Sequence, residues 1–364
     1  MERIPYDEKS KNIILGSLAK NSIPFYQFYN VDFNPTMYGY EKYKREGFTE
    51  YDFNLKTLNK TYYDIEVFID PPKFPDAAKA ERPVNAIASY NTILNKATVY
   101  YLYEVNAPLQ LHPEKGNKHV TNEDPSLIEG LVQEAFFKLV EEHPEYEVPG
   151  IQIEVLPFND EIELLVKFFE DRRNEGSLFL IGFNSEIFDD PYMVNRLFNM
   201  VGKEKAAWII SEFGEISSSR GKYYSWPDTI LVDILSLYKP VDAGGSGFGK
   251  SLPNYKLETI AEAELGITKL ELPGGFNENY LNNIVNYLAY NLIDTILVYL
   301  IDRKKEILEL QWSINNYNKS IMSSTMAGRS LIYTTRNNLH FMMNNKLLRY
   351  KRLNNEIYFP GKSE

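Results

Sequence analysis

Apolar and polar positions alternate most regularly along Thr61-Tyr-Tyr-Asp-Ile-Glu-Val-Phe-Ile69. This period of two predicts a strand with Tyr62, Asp64, Glu66 and Phe68 on one face and Tyr63, Ile65, Val67 and Ile69 on the other. Its β-branched and aromatic content suits a half-buried strand. Asp64 and Glu66 therefore point the same way, and like charges side by side repel, more strongly where burial removes water. A divalent cation would offset that repulsion. An exposed edge strand with two solvated acids explains the same pattern, and at this point both readings stand.

Residues 1–60 are polar and tyrosine-rich with little periodicity, which predicts a small, partly irregular N-terminal element. After a Pro-Ala-Lys loop, residues 84–104 read as two strands around a turn near Asn95. Ser126 to Glu142 reads as an amphipathic helix with a serine start, its apolar positions being Leu127, Leu131, Val132, Phe136, Phe137 and Val140. Residues 151–156 predict a strand, with Asn159 or Asp160 capping the helix that follows. Ser177 to Phe183 is nearly all apolar, as in a strand buried on both faces. A short helix is expected after Pro191, another strand from residue 228, a glycine-rich loop over 243–249, and a long helix over 279–309 that is apolar almost all round. The remainder reads as helical and then basic, at Lys346, Arg349, Lys351 and Arg352. Strands and helices mix throughout, so the class is α/β with a mixed sheet.

The composition narrows the chemistry. The 364 residues allow two or three domains, and 44% hydrophobic and 14% aromatic content supplies a real core. No apolar run is expected to span a bilayer, and the start, MERIPYDEKSK, is charged throughout. With no cysteine there are no disulfides or thiolate metal sites, and the four histidines are scattered away from zinc-ligand spacing. A net charge of −11 argues against a basic nucleic-acid glove, so DNA binding would need local patches or metal-bridged phosphate. Any metal site must use oxygen ligands, which favours Mg²⁺ or Mn²⁺.

Two further acids have suggestive settings. Asp189 follows a buried strand, where α/β proteins place sites, although Asp189 or Asp190 capping the next helix would explain the position equally. Asp294 shares a helix face with Tyr290 four residues earlier and with Ile293, Leu297 and Ile301. A carboxylate on such a face is costly unless paired or metal-bound, and a Tyr–Asp hydrogen bond in the core is the plainer account.

Taken in order, Asp64-x-Glu66, Asn184-x3-Phe188-Asp189 and Tyr290-x3-Asp294 resemble the three exonuclease motifs of family B DNA polymerases, in the tyrosine-containing subtype of the DEDD nucleases. The flanks agree: Phe188-Asp-Asp-Pro-Tyr192 resembles the family's F-D-x-P-Y run, and Tyr255-Lys-Leu-Glu-Thr-Ile-Ala261 its Y-K-L-D-x-I-A helix start. The resemblance runs from about residue 55 onward. It implies a ribonuclease H-like mixed sheet flanked by helices over 56–310, a partial N-terminal element over 1–55, and a helical extension with a basic tail over 311–364. It implies 3′→5′ exonuclease activity on the 3′ end of single-stranded DNA, with two Mg²⁺ or Mn²⁺ ions activating water and stabilising the departing 3′ oxygen. Asp64, Glu66 and Asp294 would bind the metal on the nucleophile side. Asp64 would bridge to the second, held by Asp189 through water. Tyr290 would orient the attacking water, and Asn184 and Phe188 would contact the terminal nucleotides, the ring by stacking. The absence of histidine before Asp294 argues against the histidine-type DEDD nucleases.

Two other motifs carry less. Gly244-Gly-Ser-Gly-Phe-Gly249-Lys250-Ser251 has the P-loop spacing, but Pro253 forbids the helix such a loop must open. A flexible loop over the site is expected there, with no nucleotide bound. Asp233-x2-Ser236-Leu237-Tyr238 resembles a palm motif of the polymerases but sits between the second and third exonuclease motifs. An ordinary strand leading into a loop is expected, with Asp233 as an auxiliary acid at most. Tyr358-Phe-Pro-Gly361 resembles the segment just before the palm, so no polymerisation is expected from this chain alone. A free-standing exonuclease, the front half of a split polymerase with a separately encoded partner chain, and a fragment are the three readings. A silent DNA-binding or scaffolding subunit is the alternative from another class. A cytoplasmic protein with no membrane partner is expected.

Overall fold

The computed structural model describes residues 47, 55–68, 74–105, 118–119, 124–219, 223–267, 276–318, 351–353 and 356–358. They divide between two compact units. Leu55–Trp312 lies in one, and the end of the last helix with a C-terminal hairpin lies in the other. The predicted element over 1–55 falls almost wholly outside the described residues, as do Lys346 and Arg349.

The larger unit is built on strands β1 (Lys60–Val67), β2 (Val84–Asn91) and β3 (Lys96–Leu102), the two-residue strands β4 (Glu104–Val105) and β5 (Lys118–His119), β6 (Gln152–Phe158), β7 (Phe179–Gly182), the hairpin β8 (Ser217–Ser219) and β9 (Tyr223–Ser225), and β10 (Ile230–Asp233). Its helices are α1 (Pro125–Glu142), α2 (Glu161–Asn174), α3 (Asp189–Val201), α4 (Lys203–Ile210), α5 (Ile234–Tyr238), α6 (Leu257–Leu265), α7 (Phe276–Asn282), α8 (Ile284–Lys305) and α9 (Ile307–Asn318), the last ending in the second unit. Six strands form one mixed sheet in the order β10-β7-β1-β2-β3-β6. β1, β2 and β3 are an antiparallel meander, whereas β7 runs parallel to both β1 and β10, and β6 parallel to β3.

The alternation of β1 is borne out, and the edge-strand reading of it is not. β1 is central, paired on both sides. Tyr62 and Phe68 join one core with α1, α6 and α8, whereas Tyr63, Ile65 and Val67 join another with α2, α3 and α4. The unit is therefore a three-layer sandwich, as expected of an α/β fold with a mixed sheet flanked by helices. Fully burying each large apolar side chain contributes about 1.5–3 kcal/mol before entropy is subtracted.

Several elements depart from expectation for identifiable reasons. Asp124, not a serine, caps α1, its carboxylate accepting the Ser126 N–H at 2.9 Å with Pro125 as the first helical residue. The buried stripe of α1 is Ile128, Val132 and Phe136; Leu127 and Phe137, both expected inside, are exposed. α3 is a full helix that starts two residues before Pro191. The strand from residue 228 ends at Asp233, whose carboxylate accepts the Leu235 N–H at 2.9 Å and that of Ser236 at 3.4 Å, opening α5 where a loop was expected. The long helix expected over 279–309 is broken at Asn283 and again at Glu306, which adopts φ +52°. α8 itself is buried on every side from Tyr287 to Val298 and, against expectation, is long and apolar enough to cross a membrane; most of it is covered by this fold. In the smaller unit, Lys351–Leu353 and Glu356–Tyr358 pair as antiparallel strands, β11 and β12, within the stretch expected as a basic tail.

A clamp of hydrogen bonds fixes α3 to the chain that follows β1. Arg196 pairs with Glu161 at 2.6 Å and donates to the carbonyls of Ala80 and Glu81, and Asn195 and Asn199 donate to those of Ala77 and Lys79. The bonds to residues 77–81 all go to the main chain. They hold the helix that begins at Asp189 whatever side chains the segment carries.

Candidate active site

Three elements meet at the C-terminal half of β1. Asp64 and Glu66 share a face and are half-buried, and directly across on β2 stand Ala88 and Ala86. Two alanines leave room beside the acids that larger cross-strand partners would fill. The β1–β2 register slips just after Glu66, an irregularity of the kind that re-aims side chains beside active sites.

The second motif lies on the β7–α3 connection. Gly182 ends β7 because nothing larger fits: a Cβ there would meet the Ser185 Cβ at 2.5 Å and the Tyr63 ring at 3.2 Å. Asn184 follows at φ +62°, a conformation asparagine tolerates better than most residues. Its N–H donates to Asp233 Oδ1 at 2.8 Å, so the buried Asp233 fastens this loop as well as capping α5. The cap explanation of Asp189 fails. Phe188 is the N-cap and makes no side-chain bond, and Asp189 and Asp190 are already inside the first turn. Instead Asp189 Oδ1 accepts the N–H of Ile65 at 3.4 Å, beside Asp64 in the chain, and Tyr63 donates to Asp190 at 2.6 Å.

The electrostatics of this loop call for positive charge. Burial, aided by the neighbouring charge of Asp190, pushes Asp189 well above the usual carboxylate range. Burial likewise raises Asp190 to about 8 against the opposing hydrogen bond from Tyr63. Glu186 rises to about 7 through burial and the charge of Asp233, and burial raises Asp233 too. Among the described residues no lysine or arginine pairs with Glu186, Asp189, Asp190 or Asp233.

The third motif is on α8, which packs on β1 and β2. Tyr290 and Asp294 are both buried, as their apolar face predicts. The link to β1 runs through a residue that no sequence motif marks: Asn291 Nδ2 donates to Asp64 Oδ2 at 2.8 Å. Tyr287, likewise unmarked, feels both β1 acids. Burial and then the charges of Glu66 and Asp64 hold its hydroxyl proton firmly in place. Spacing could have found both, since Tyr287, Asn291 and Asp294 fall at i, i+4 and i+7 on one helix face.

The geometry thus brings Asp64 against α8 and Asp189 against the backbone beside Asp64, with Asn184 and Phe188 on the loop leading into α3. Among the described residues no three His, Cys, Asp or Glu side chains enclose a cation position. The chemistry of the donors nevertheless fits Mg²⁺ or Mn²⁺: all are carboxylate oxygens, and burial has left Asp189 without a compensating cationic side chain. A small cleft beside the loop, lined by Glu186, Asp190, Tyr224 and Asp233, includes none of Asp64, Glu66, Asp189 or Asp294.

The glycine-rich segment is folded onto α5, correcting the expectation of a flexible loop over the site. The N–H groups of Gly245, Ser246, Gly247, Phe248 and Gly249 donate to the carbonyls of Pro240, Ser236, Lys239, Leu237 and Tyr238. A phosphate cradle needs such amides free. Lys250, in the P-loop lysine position, donates to the Ala263 carbonyl at 2.6 Å.

Gly182 gives a direct test of how the loop is held. Gly182→Ala should cost about 1–3 kcal/mol by overpacking, read as a lower urea midpoint at unchanged slope. An unchanged midpoint would mean that Ser185 and Tyr63 yield freely.

A mixed sheet between two helical layers, with Asp64 and Glu66 on its central strand, Asp189 on a buried-strand loop bonded to that strand and Asp294 on a facing helix, is the architecture expected of an exonuclease-type α/β domain. The chain belongs to the family described as DNA polymerase family B, exonuclease domain, which it matches over residues 18–260. It is 28% identical over 294 residues to the DNA-directed DNA polymerase of Escherichia phage RB69, covering 76% of this chain and 30% of that protein. It is 27% identical over 286 residues to the DNA-directed DNA polymerase of Enterobacteria phage T4, covering 77% of this chain and 29% of that one. The chain therefore spans less than a third of the length of these curated relatives. Exonuclease domains of this family generally use divalent metals. The family match stops at residue 260, so Tyr290 and Asp294 rest on their own motif and on the packing of α8.

Proposed function

We propose that this chain is a metal-dependent 3′→5′ exonuclease that removes nucleotides from the 3′ end of single-stranded DNA and serves proofreading in DNA replication. The observation that carries the reading is the pair of hydrogen bonds at β1: Asp64 is tied to α8 through Asn291, and Asp189 to the backbone of Ile65. Residues 56–310 would form the catalytic domain, with 1–55 and 311–364 outside it. Asp64, Glu66, Asp189 and Asp294 would hold two divalent ions, which supply Lewis-acid stabilisation of the charge that develops during phosphodiester hydrolysis. Tyr290 orients the attacking water, and Asn184 and Phe188 grip the last nucleotides.

The test is a 5′-labelled single-stranded oligonucleotide incubated with the protein and Mg²⁺ or Mn²⁺, with an RNA of the same sequence alongside. A ladder shortening from the 3′ end, abolished by EDTA, is expected. An intact oligonucleotide under all conditions would instead favour a catalytically silent DNA-binding or scaffolding subunit. That second reading draws on the lack of a closed carboxylate cage among the described residues. Because the relatives are polymerases, the proposal includes work beside a polymerase, within one chain or as a separate partner. Co-purification of a palm-containing chain tests the latter.

Phe188 is half-buried, its ring 5.4 Å from that of Tyr192, which holds it as a platform. Phe188→Ala should weaken single-stranded DNA binding by about 1–3 kcal/mol, the worth of one stacked base. Fluorescence anisotropy in Ca²⁺, which binds oxygen donors, measures this; equal affinity would remove Phe188 from the DNA path.

A further inference from the structure

Asn291 joins a proposed metal ligand on β1 to the helix of the third motif, and its setting is unusual. It is wholly buried, between the buried Leu288, Ala289, Leu292 and Ile293, where an apolar side chain would pack without desolvation cost. Its Nδ2 donates to Asp64 Oδ2 at 2.8 Å, while its Oδ1 receives no hydrogen bond among the described residues. One turn later the Thr295 hydroxyl lies 3.1 Å from the Asn291 carbonyl and 3.4 Å from the carbonyl of Ala88, the residue directly across the sheet from Asp64. Both ties fall at a single register position of the β1–β2 pair. They fix α8 against the sheet on both sides of Asp294.

We propose that Asn291 is a positioning residue for cation binding: its amide orients the Asp64 carboxylate so that this acid and Asp294 address the same ion. The inference rests on the nuclease reading above. Ligating carboxylates are commonly held by a hydrogen bond from outside the ligand shell, and losing that partner typically weakens metal binding roughly 10–100-fold. An amide suits the task because it donates without adding charge. A lysine would compete with the cation, and a carboxylic acid would add to the repulsion at Asp64.

Calorimetric titration of the full chain with MnCl₂, without DNA, separates the outcomes. The wild type should bind Mn²⁺ and Asp64→Ala should lose the tightest site. Asn291→Leu, which keeps the volume but not the donor, should bind it roughly 10–100-fold more weakly. A wild type that takes up no Mn²⁺ would overturn the metal-dependent reading and this inference together. Mn²⁺ uptake with equal affinity in a folded Asn291→Leu would overturn the inference alone. Should Asn291→Leu fail to fold, the side-chain amide signals of selectively labelled Asn291 serve in its place. They should shift on adding Mg²⁺ to the wild type and be unresponsive in Asp64→Ala. Signals unmoved by Mg²⁺ in the wild type would sink the proposal.

Discussion

Asp64→Ala should degrade single-stranded DNA at least roughly 10³-fold more slowly than the parent protein, while still folding and still binding the DNA. The rate follows from the role. On the proposed role, losing a ligand shared by two ions would remove several kcal/mol of charge stabilisation from the hydrolytic transition state, and each 1.36 kcal/mol is a factor of ten. The tolerance of the fold follows from position. Asp64 is half-buried, its cross-strand neighbour is Ala88, and its removal relieves repulsion with Glu66. The structural cost is mainly an Asn291 amide left without its acceptor, about 1–3 kcal/mol. At about 2–4 °C per kcal/mol for a unit of this size, the melting temperature should fall by no more than roughly 12 °C. Single-turnover hydrolysis, thermal melting and anisotropy in Ca²⁺ together decide it. A variant retaining a tenth of the parent's rate would exclude Asp64 from the chemistry.

How far the sequence could be read depended on whether an element's neighbours were local. β1 was legible because period-two alternation reports both faces of a strand, and Asp160 was legible as a cap because capping is decided within three residues. What alternation could not say is that β1 is central, since that depends on β7 arriving some 110 residues later. α1 was misread by one position because Leu127 and Ile128 are both apolar, and only the packing partner selects between them. α8 hid its divisions for the opposite reason. Its middle is buried on every side, so no continuous polar stripe runs along it to mark where Asn283 and Glu306 interrupt the helix. The acids of the three motifs were singled out from residue type and order. Asn291, Tyr287 and Asp233 were not given their present parts, because each acts through a contact with a distant segment.

Far from that site, Arg172→Leu should destabilise the fold more than either Gly182→Ala or Asp64→Ala. Arg172 lies in the last turn of α2 and is 2% exposed. Its guanidinium pairs with Asp228 at 2.8 Å and donates to the carbonyls of Ser177 at 3.3 Å and Ile210 at 3.4 Å. One side chain thus joins α2, the approach to β7, the end of α4 and the approach to β10. The network is incomplete, since Arg172 Nε and Asp228 Oδ1 find no partner among the described residues. The intact pair therefore contributes less than its breakage costs. Removing Arg172 leaves a nearly buried carboxylate uncompensated, a loss of about 3–5 kcal/mol, or roughly 6–20 °C in melting temperature.

The pH dependence gives this prediction a second handle. Burial alone would raise Asp228, but the hydrogen bond from Arg172, one from Ser211 and the Arg172 charge outweigh it and hold the carboxyl below its usual range. A depressed folded pKa stabilises above the unfolded value, about 3.9, and that contribution disappears as pH falls through the folded value. In Arg172→Leu the burial effect is unopposed by the arginine, so protonating Asp228 relieves the variant. The gap between parent and variant should therefore be widest near pH 7 and shrink toward pH 4. Replacing both partners, Arg172→Leu with Asp228→Leu, should recover most of the loss. Urea denaturation of the parent, Arg172→Leu and the double variant at the two pH values measures each step. A gap that is the same at pH 7 and pH 4 would show that Arg172 acts through packing and its carbonyl bonds, with the ion pair incidental.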